Sequence, residues 1–328
     1  MINGVINVYK ERGFTSHDVV AKLRGILHQK KIGHTGTLDP DAVGVLPGCL
    51  GNGTRLCDML TDTDKIYETQ MILGMRTDTQ DTSGQLLEEC AARLTEEKIR
   101  EAVWSFVGDY DQIPPMYSAL KVHGKKLYEL SREGKEVERP ARRVHIYDIH
   151  IQRIDVLDSR KDFILSETGD LPAIPLKPEP EIFPKMAVTM EVTCSKGTYI
   201  RTLCEDIGRT LGTGGCMSAL KRTRTGIFCA ERAVTLDEIQ KAAANQCVEQ
   251  FVVPVDAMFS QFPGLSVNEN GERLLYNGNP VKIEDFCEIP VGLADGTSVR
   301  VYDQSGAFKG IYQYCEKLRE FKVVKMFL

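Results

Sequence analysis

The run Met186–Cys194, MAVTMEVTC, puts Met186, Val188, Met190, Val192 and Cys194 at every second position. That period belongs to a β-strand with one face against a core, and no helix shares it. YETQMIL repeats the pattern, with Tyr67, Thr69, Met71 and Leu73 on one face and Gly74 ending the strand. VHIYDIH, from Val144, has the same character. Helical spacing appears elsewhere. Thr15 and Asp18 stand as a capping box before Val19, Val20, Leu23, Ile26 and Leu27, which predicts a helix ending near His28. Ile99, Ala102, Val103 and Phe106 mark a second helix, and Ile200, Leu203, Ile207 and Leu211 a third. Thr235 and Glu238 open a fourth by the capping-box rule. Strands and helices mix without regular alternation, so the expected class is α+β, a mixed α/β arrangement, rather than a doubly wound fold.

After FSQFPG the character changes. VRVYDQSGAFKGIYQY and FKVVKMFL read as short strands between glycine turns, which predicts a small β-rich unit over 265–328 behind a large one over 1–260. A length of 328 residues accommodates both. The ten cysteines are scattered with no CxxC pair, which points to reduced thiols and away from a structural zinc site. No metal or cofactor is expected, because no GxGxxG or Walker A sequence is present. No apolar run is long enough for a membrane span and no leader is recognisable, so a cytoplasmic protein is expected.

The formal net charge of −5 counts only mildly against a polyanionic partner, because binding follows the local field. A basic excursion over 112–143 carries Lys121, Lys125, Lys126, Arg132, Lys135, Arg139, Arg142 and Arg143 among four glutamates. KRTR, Lys221 to Arg224, is a second basic cluster. Five of the 14 prolines fall in 166–185, which reads as an extended surface loop.

The loop GHTGTLDPDAVGVLP, from Gly33, is the leading candidate for chemistry. Pro40 restricts Asp39 to extended or turn geometry, and the glycines allow a ligand to approach the backbone. A carboxylate held in this way can serve as nucleophile or general base. An ordinary Asp-Pro turn fits the same residues. His34 fits an ordering hydrogen bond, a ligand contact or simple packing. Tyr67 can stack on a base or belong to the core. CSKGTYIRTLCEDIG places Tyr199 and Arg201 at a strand-to-helix junction. Arg201 can pair with a carboxylate from elsewhere, or with Glu205 one turn along its own helix.

Taken together, these segments resemble the TruB-type tRNA pseudouridine synthases. The resemblance rests on GHTGTLDPDAVGVLPGCLGNGTR, DKIYETQMILGMRTDTQDTSG, IPPMYSALKVHGKKLYELSREGKEVER and CSKGTYIRTLCEDIGRTLG, in that order. It implies the pseudouridine synthase catalytic fold, with a central, largely antiparallel mixed sheet and a PUA-like RNA-binding unit behind it. It implies isomerisation of uridine 55 in the T loop of tRNA, without a cofactor. The family's catalytic aspartate falls on Asp39, its active-site tyrosine on Tyr67 and the arginine that pairs with the aspartate on Arg201. The resemblance places substrate contacts at His34, Tyr199, Leu220 and Lys10, and on the RNA-gripping insertion at Lys121, Lys125, Lys126, Arg132, Arg142 and Arg143. The family usually has proline after the lysine, where this chain has Glu11.

The resemblance also implies that the target base is flipped out of its loop into a pocket. A monomer acting on the tRNA T arm, with no membrane and no obligate protein partner, is expected. A non-catalytic tRNA-binding module, a guide-RNA-dependent enzyme and a small-molecule enzyme are the rival classes.

Overall fold

The structure is a computed structural model; it describes residues 1–118, 120–122, 124–135, 137–160, 162, 171–177 and 179–328. The side chains of Lys121, Lys126 and Arg132 also lie outside the described residues, as do positions 166–170 and 178 of the proline-rich loop.

A ten-stranded sheet forms the larger part. Strand Lys65–Leu73 lies inside it, antiparallel to Lys185–Cys194 on one side and to Gly215–Thr225 on the other. Gly215–Thr225 meets strand Val43–Leu50 in parallel, and Val43–Leu50 pairs antiparallel with Gly4–Lys10. Beyond Lys185–Cys194 come Arg142–Leu157 and then Gly108–Gln112 at the edge. The sheet is mixed but mostly antiparallel, as expected. The one-face alternation expected for Lys65–Leu73 holds only for its first half, since every residue from Thr69 to Leu73 is buried. Core covers both faces there, so a hydrogen-bonded polar residue such as Gln70 is buried too: the Ser218 hydroxyl donates to its Oε1 at 2.8 Å.

Helices Ser16–Ile26 and Leu236–Ala244 start at capping boxes built by Thr15/Asp18 and Thr235/Glu238, as their sequences predict. The first stops at Ile26, two residues before the expected end, and His28 follows at φ 48°. Val19, Val20, Leu23, Leu236 and Ile239 join one core cluster with Ile6, Val8 and Leu46 of the sheet. Helix Ile200–Thr210 buries Leu203, Cys204 and Ile207 in the main core, with Met71, Val188 and Met190. Its Gly208 crosses the strand at Gly215 so closely that a Cβ would stand 2.2 Å from the Gly215 nitrogen. That contact seats the helix firmly and so fixes where Arg201, in its first turn, emerges.

The excursion over 112–143 leaves the sheet after Gly108–Gln112 as a small hairpin, Lys121–Val122 with Lys125–Lys126, and helix Leu127–Arg132. The C-terminal five-stranded sheet runs in the order Gly264–Ser266, Ser298–Tyr302, Phe308–Cys315, Glu320–Met326, Val281–Lys282. It also carries a helix, Glu269–Tyr276, that the strand-like reading of this region did not anticipate. Phe308, Ile311 and Phe327 share a cluster with Val5, Val45 and Leu56, so the two sheets are joined by apolar packing.

Candidate active site

Asp39 and Arg201, 162 residues apart, meet at the mouth of a cleft. Arg201 Nε lies 3.0 Å from Asp39 Oδ2, and Nη2 donates to Oδ1 at 3.2 Å, a two-pronged pairing. The pair is asymmetric: the Asp39 side chain is 41% exposed and that of Arg201 only 7%. The guanidinium is locked from behind. It donates to the Thr79 carbonyl at 3.1 Å and to the Tyr117 carbonyl at 2.8 Å, and it lies 3.9 Å from Asp81 Oδ2. A fixed cation therefore presents a carboxylate to the open cleft. Glu205, the alternative partner on the same helix, turns instead to Arg76 at 3.6 Å and Arg209 at 3.8 Å.

The cleft holds about 710 Å³. Tyr67 and Leu220 form part of its wall, and His34, Tyr199, Ser118, Arg142 and Arg143 also line it. Tyr67 is buried, and that burial raises its phenol above the ordinary value. Tyr199 caps the start of the arginine's helix, and its backbone is held by the Gln112 side chain at 2.8 and 3.0 Å.

Not every residue expected to touch substrate is free to do so. Lys10 is completely buried, and its ammonium donates to the carbonyls of Ala42, Pro40 and Glu11 at 2.5, 3.0 and 3.2 Å. It ties down the turn that carries Asp39 and has no donor free for RNA. Burial lowers its pKa to about 8, against the opposing pull of Asp39 and Asp41. The KRTR cluster is split: Arg222 is among the largest fully buried side chains, Lys221 is half-buried and Arg224 is exposed. In the insertion, Lys125 is paired with Glu133 at 3.3 Å, and Arg143 with Asp111 at 3.0 Å. Arg142 is exposed at the cleft rim. Lys121, Lys126 and Arg132 fall outside the described side chains.

Three residues of the site escaped the sequence reading. Arg222 is the register partner of Tyr67 and donates to the carbonyls of Val45 at 2.8 Å and Gly36 at 3.3 Å. Gly36 sits at φ 65°, where a Cβ would also stand 3.3 Å from Arg222 Nη1, so the loop needs glycine there. A signal for Arg222 existed: it lies two residues after Leu220 on one strand, hence on the same face. Lys65 lines the cleft with its ammonium bonded to the carbonyls of Thr61 and Thr63, and burial lowers its pKa to about 8. Asp81 lies in a segment whose composition shows only a polar turn.

His34 is half-buried, and its Nδ1 is buried without a hydrogen-bond partner among the described residues. Burial, reinforced by the Arg222 charge, lowers its pKa below the ordinary 6.5. The folded protein therefore binds this proton less readily than the unfolded chain, and the stability that His34 contributes is present above pH 6.5 and lost as pH falls through the lower folded value. In urea titrations from pH 7.5 to 5, the wild-type midpoint is expected to fall more steeply than that of His34→Gln; parallel curves would refute this assignment.

The family description "TruB family pseudouridylate synthase (N terminal domain)" matches residues 24–167, and "tRNA pseudouridylate synthase B C-terminal domain" matches residues 201–260. The tRNA pseudouridine synthase B of Lachnoclostridium phytofermentans is 50% identical over 328 residues, covering 100% of both chains. That of Clostridium perfringens strain SM101 is 40% identical over 100% of this chain and 99% of its own. Among solved structures, a chain of a Cbf5–Nop10–Gar1 complex superposes with a TM-score of 0.64 at 25% identity, over 99% of this chain and 85% of that one. Fold and relatives define an RNA-modifying isomerase with a PUA-like C-terminal sheet. The chain belongs to the TruB family, and its activity is that of a tRNA pseudouridine synthase.

Proposed function

We propose that the protein converts uridine 55 in the tRNA T loop to pseudouridine, with Asp39 as the catalytic carboxylate. The observation that carries this reading is the Asp39–Arg201 pair, its cation locked and its carboxylate open to a cleft walled by Tyr67 and Leu220. The reaction breaks the bond from ribose C1′ to N1 and forms a bond from C1′ to C5; the proton on C5 is lost and N1 gains one. A base inside a folded loop reaches such a cleft only if it is flipped out. The Tyr67 ring, part of the cleft wall, stacks on it in this reading. The buried phenol stands neutral, so to take the C5 proton it must first release its own to water in the open cleft. The Arg222 guanidinium beside it favours that transient phenolate. Arg142 at the rim offers charge to the T-arm backbone.

The direct test incubates the full chain with an unmodified tRNA transcript and maps pseudouridine by position. A single product at position 55 is expected; modification spread over other arms would overturn the T-loop assignment. Tyr67→Phe keeps the ring and removes the hydroxyl. Retained tRNA affinity with a single-turnover rate lower by about 10²-fold is expected, and an unchanged rate would remove Tyr67 from proton transfer.

A further inference from the structure

The proline-rich stretch has no part in the mechanism above, yet it lies against both loops that hold the Asp39–Arg201 pair. Strand Gly215–Thr225 is bordered on one edge by two different neighbours. At Lys221 and Arg222 it pairs with Val43 and Gly44, where the Asp39 loop ends. At Met217 it pairs with the loop that grips Arg201: the Met217 N–H donates to the Gln80 carbonyl at 3.0 Å, and the Thr82 N–H to the Met217 carbonyl at 2.9 Å. Between these pairings lie Ser218, Ala219 and Leu220. Residues 173–174 occupy that interval, with Ala173 bridged to Ala219 and the Ile174 N–H donating to the Ser218 carbonyl at 2.6 Å.

From this position the segment reaches both ways. Toward the Arg201 side, the Thr82 hydroxyl donates to the Ile174 carbonyl at 3.2 Å, and the Lys177 N–H to the Thr82 carbonyl at 2.9 Å. Toward the Asp39 side, Arg12 donates to the Ala173 carbonyl and lies 3.6 Å from Asp41 Oδ1. The buried Ile174 side chain belongs to the same apolar cluster as Leu38, Ala42, Tyr67 and Leu220. Pro172 and Pro175 fix φ at two of the positions around these contacts, so little chain entropy is lost in holding them.

We propose that residues 171–177 form a brace that sets the separation of the Asp39 and Thr79–Thr82 loops, with Ile174 and Arg12 as positioning residues for the catalytic pair. This rests on the catalytic reading of Asp39. A displacement of about 1 Å at reacting groups can cost about 10²-fold in rate, so a loosened brace acts on the chemical step and leaves tRNA binding alone.

The test compares Arg12→Ala, Thr82→Val and Ile174→Ala with the wild type and with Asp39→Asn. Each full chain is measured for single-turnover rate, for tRNA affinity and for amide hydrogen exchange over 38–42 and 79–82. A rate reduced by about 10- to 100-fold at unchanged affinity, with faster exchange in both loops, is expected for Ile174→Ala, and restoration by Ile174→Val. Arg12→Ala and Thr82→Val, which each cut one side of the brace, are expected to show the same rate loss with exchange rising in both loops. If Ile174→Ala fails to fold, these two carry the test. Wild-type rates, faster exchange confined to the loop adjoining the substitution, or weakened tRNA affinity at an unchanged rate would each overturn the brace. An active Asp39→Asn would overturn the catalytic reading itself; an inactive Asp39→Asn beside unaffected brace variants removes the brace alone.

Discussion

Asp39→Asn is expected to lower the single-turnover rate of pseudouridine formation by at least about 10⁴-fold, with tRNA affinity and thermal midpoint unchanged. The carboxamide is nearly isosteric but is neither a nucleophile nor a base. The fold should tolerate it, because Asp39 is the exposed partner of the pair and Arg201 keeps the carbonyls of Thr79 and Tyr117 and the Asp81 carboxylate. Stopped-flow or quench measurements under enzyme excess separate this from a binding defect. A variant that turns over at near the wild-type rate would sink the assignment of Asp39.

Arg201→Met is expected to damage both fold and chemistry. It removes a buried cation and leaves the nearly buried Asp81 carboxylate and two backbone carbonyls without it. Breaking a buried charge cluster from one side costs about 3–5 kcal/mol, visible as an earlier denaturation midpoint. Asp39 loses its only ion-pair partner among the described residues, and a rate loss of at least about 10²-fold is expected. Arg201→Lys restores a charge but not the forked geometry that spans Asp39 and the two carbonyls at once. It should recover part of the stability and little of the rate. A lysine variant with wild-type turnover would show that charge alone suffices.

The sequence carried more of the elements than of their junctions. The capping boxes at Thr15/Asp18 and Thr235/Glu238 and the alternation in Met186–Cys194 are local signals, and the structure reproduces them. Asp39, Tyr67 and Arg201 were singled out from their motifs, and the structure brings all three to one cleft. Lys10 and Arg222 show where sequence stops. A lysine and an arginine next to a candidate site read as solvent-facing charge, because burying a cation is costly unless it is bonded. Both are buried because backbone carbonyls from distant segments converge on them: Pro40 and Ala42 on Lys10, Val45 and Gly36 on Arg222.

By itself the sequence determined the alternating strands, the helix starts and the aspartate placed before a proline, which follow from spacings of a few residues, and its four long motifs carried the resemblance to the family. Only the tertiary structure decided that Arg201 pairs with Asp39 rather than Glu205, that Lys10 serves the loop rather than the RNA, and that the proline-rich segment fills the interval beside Ser218 and Ala219. These outcomes depend on which backbone groups and charges the sheet order and the Gly208–Gly215 crossing bring within hydrogen-bond reach, and pairings across 160 residues leave no periodic trace in the chain.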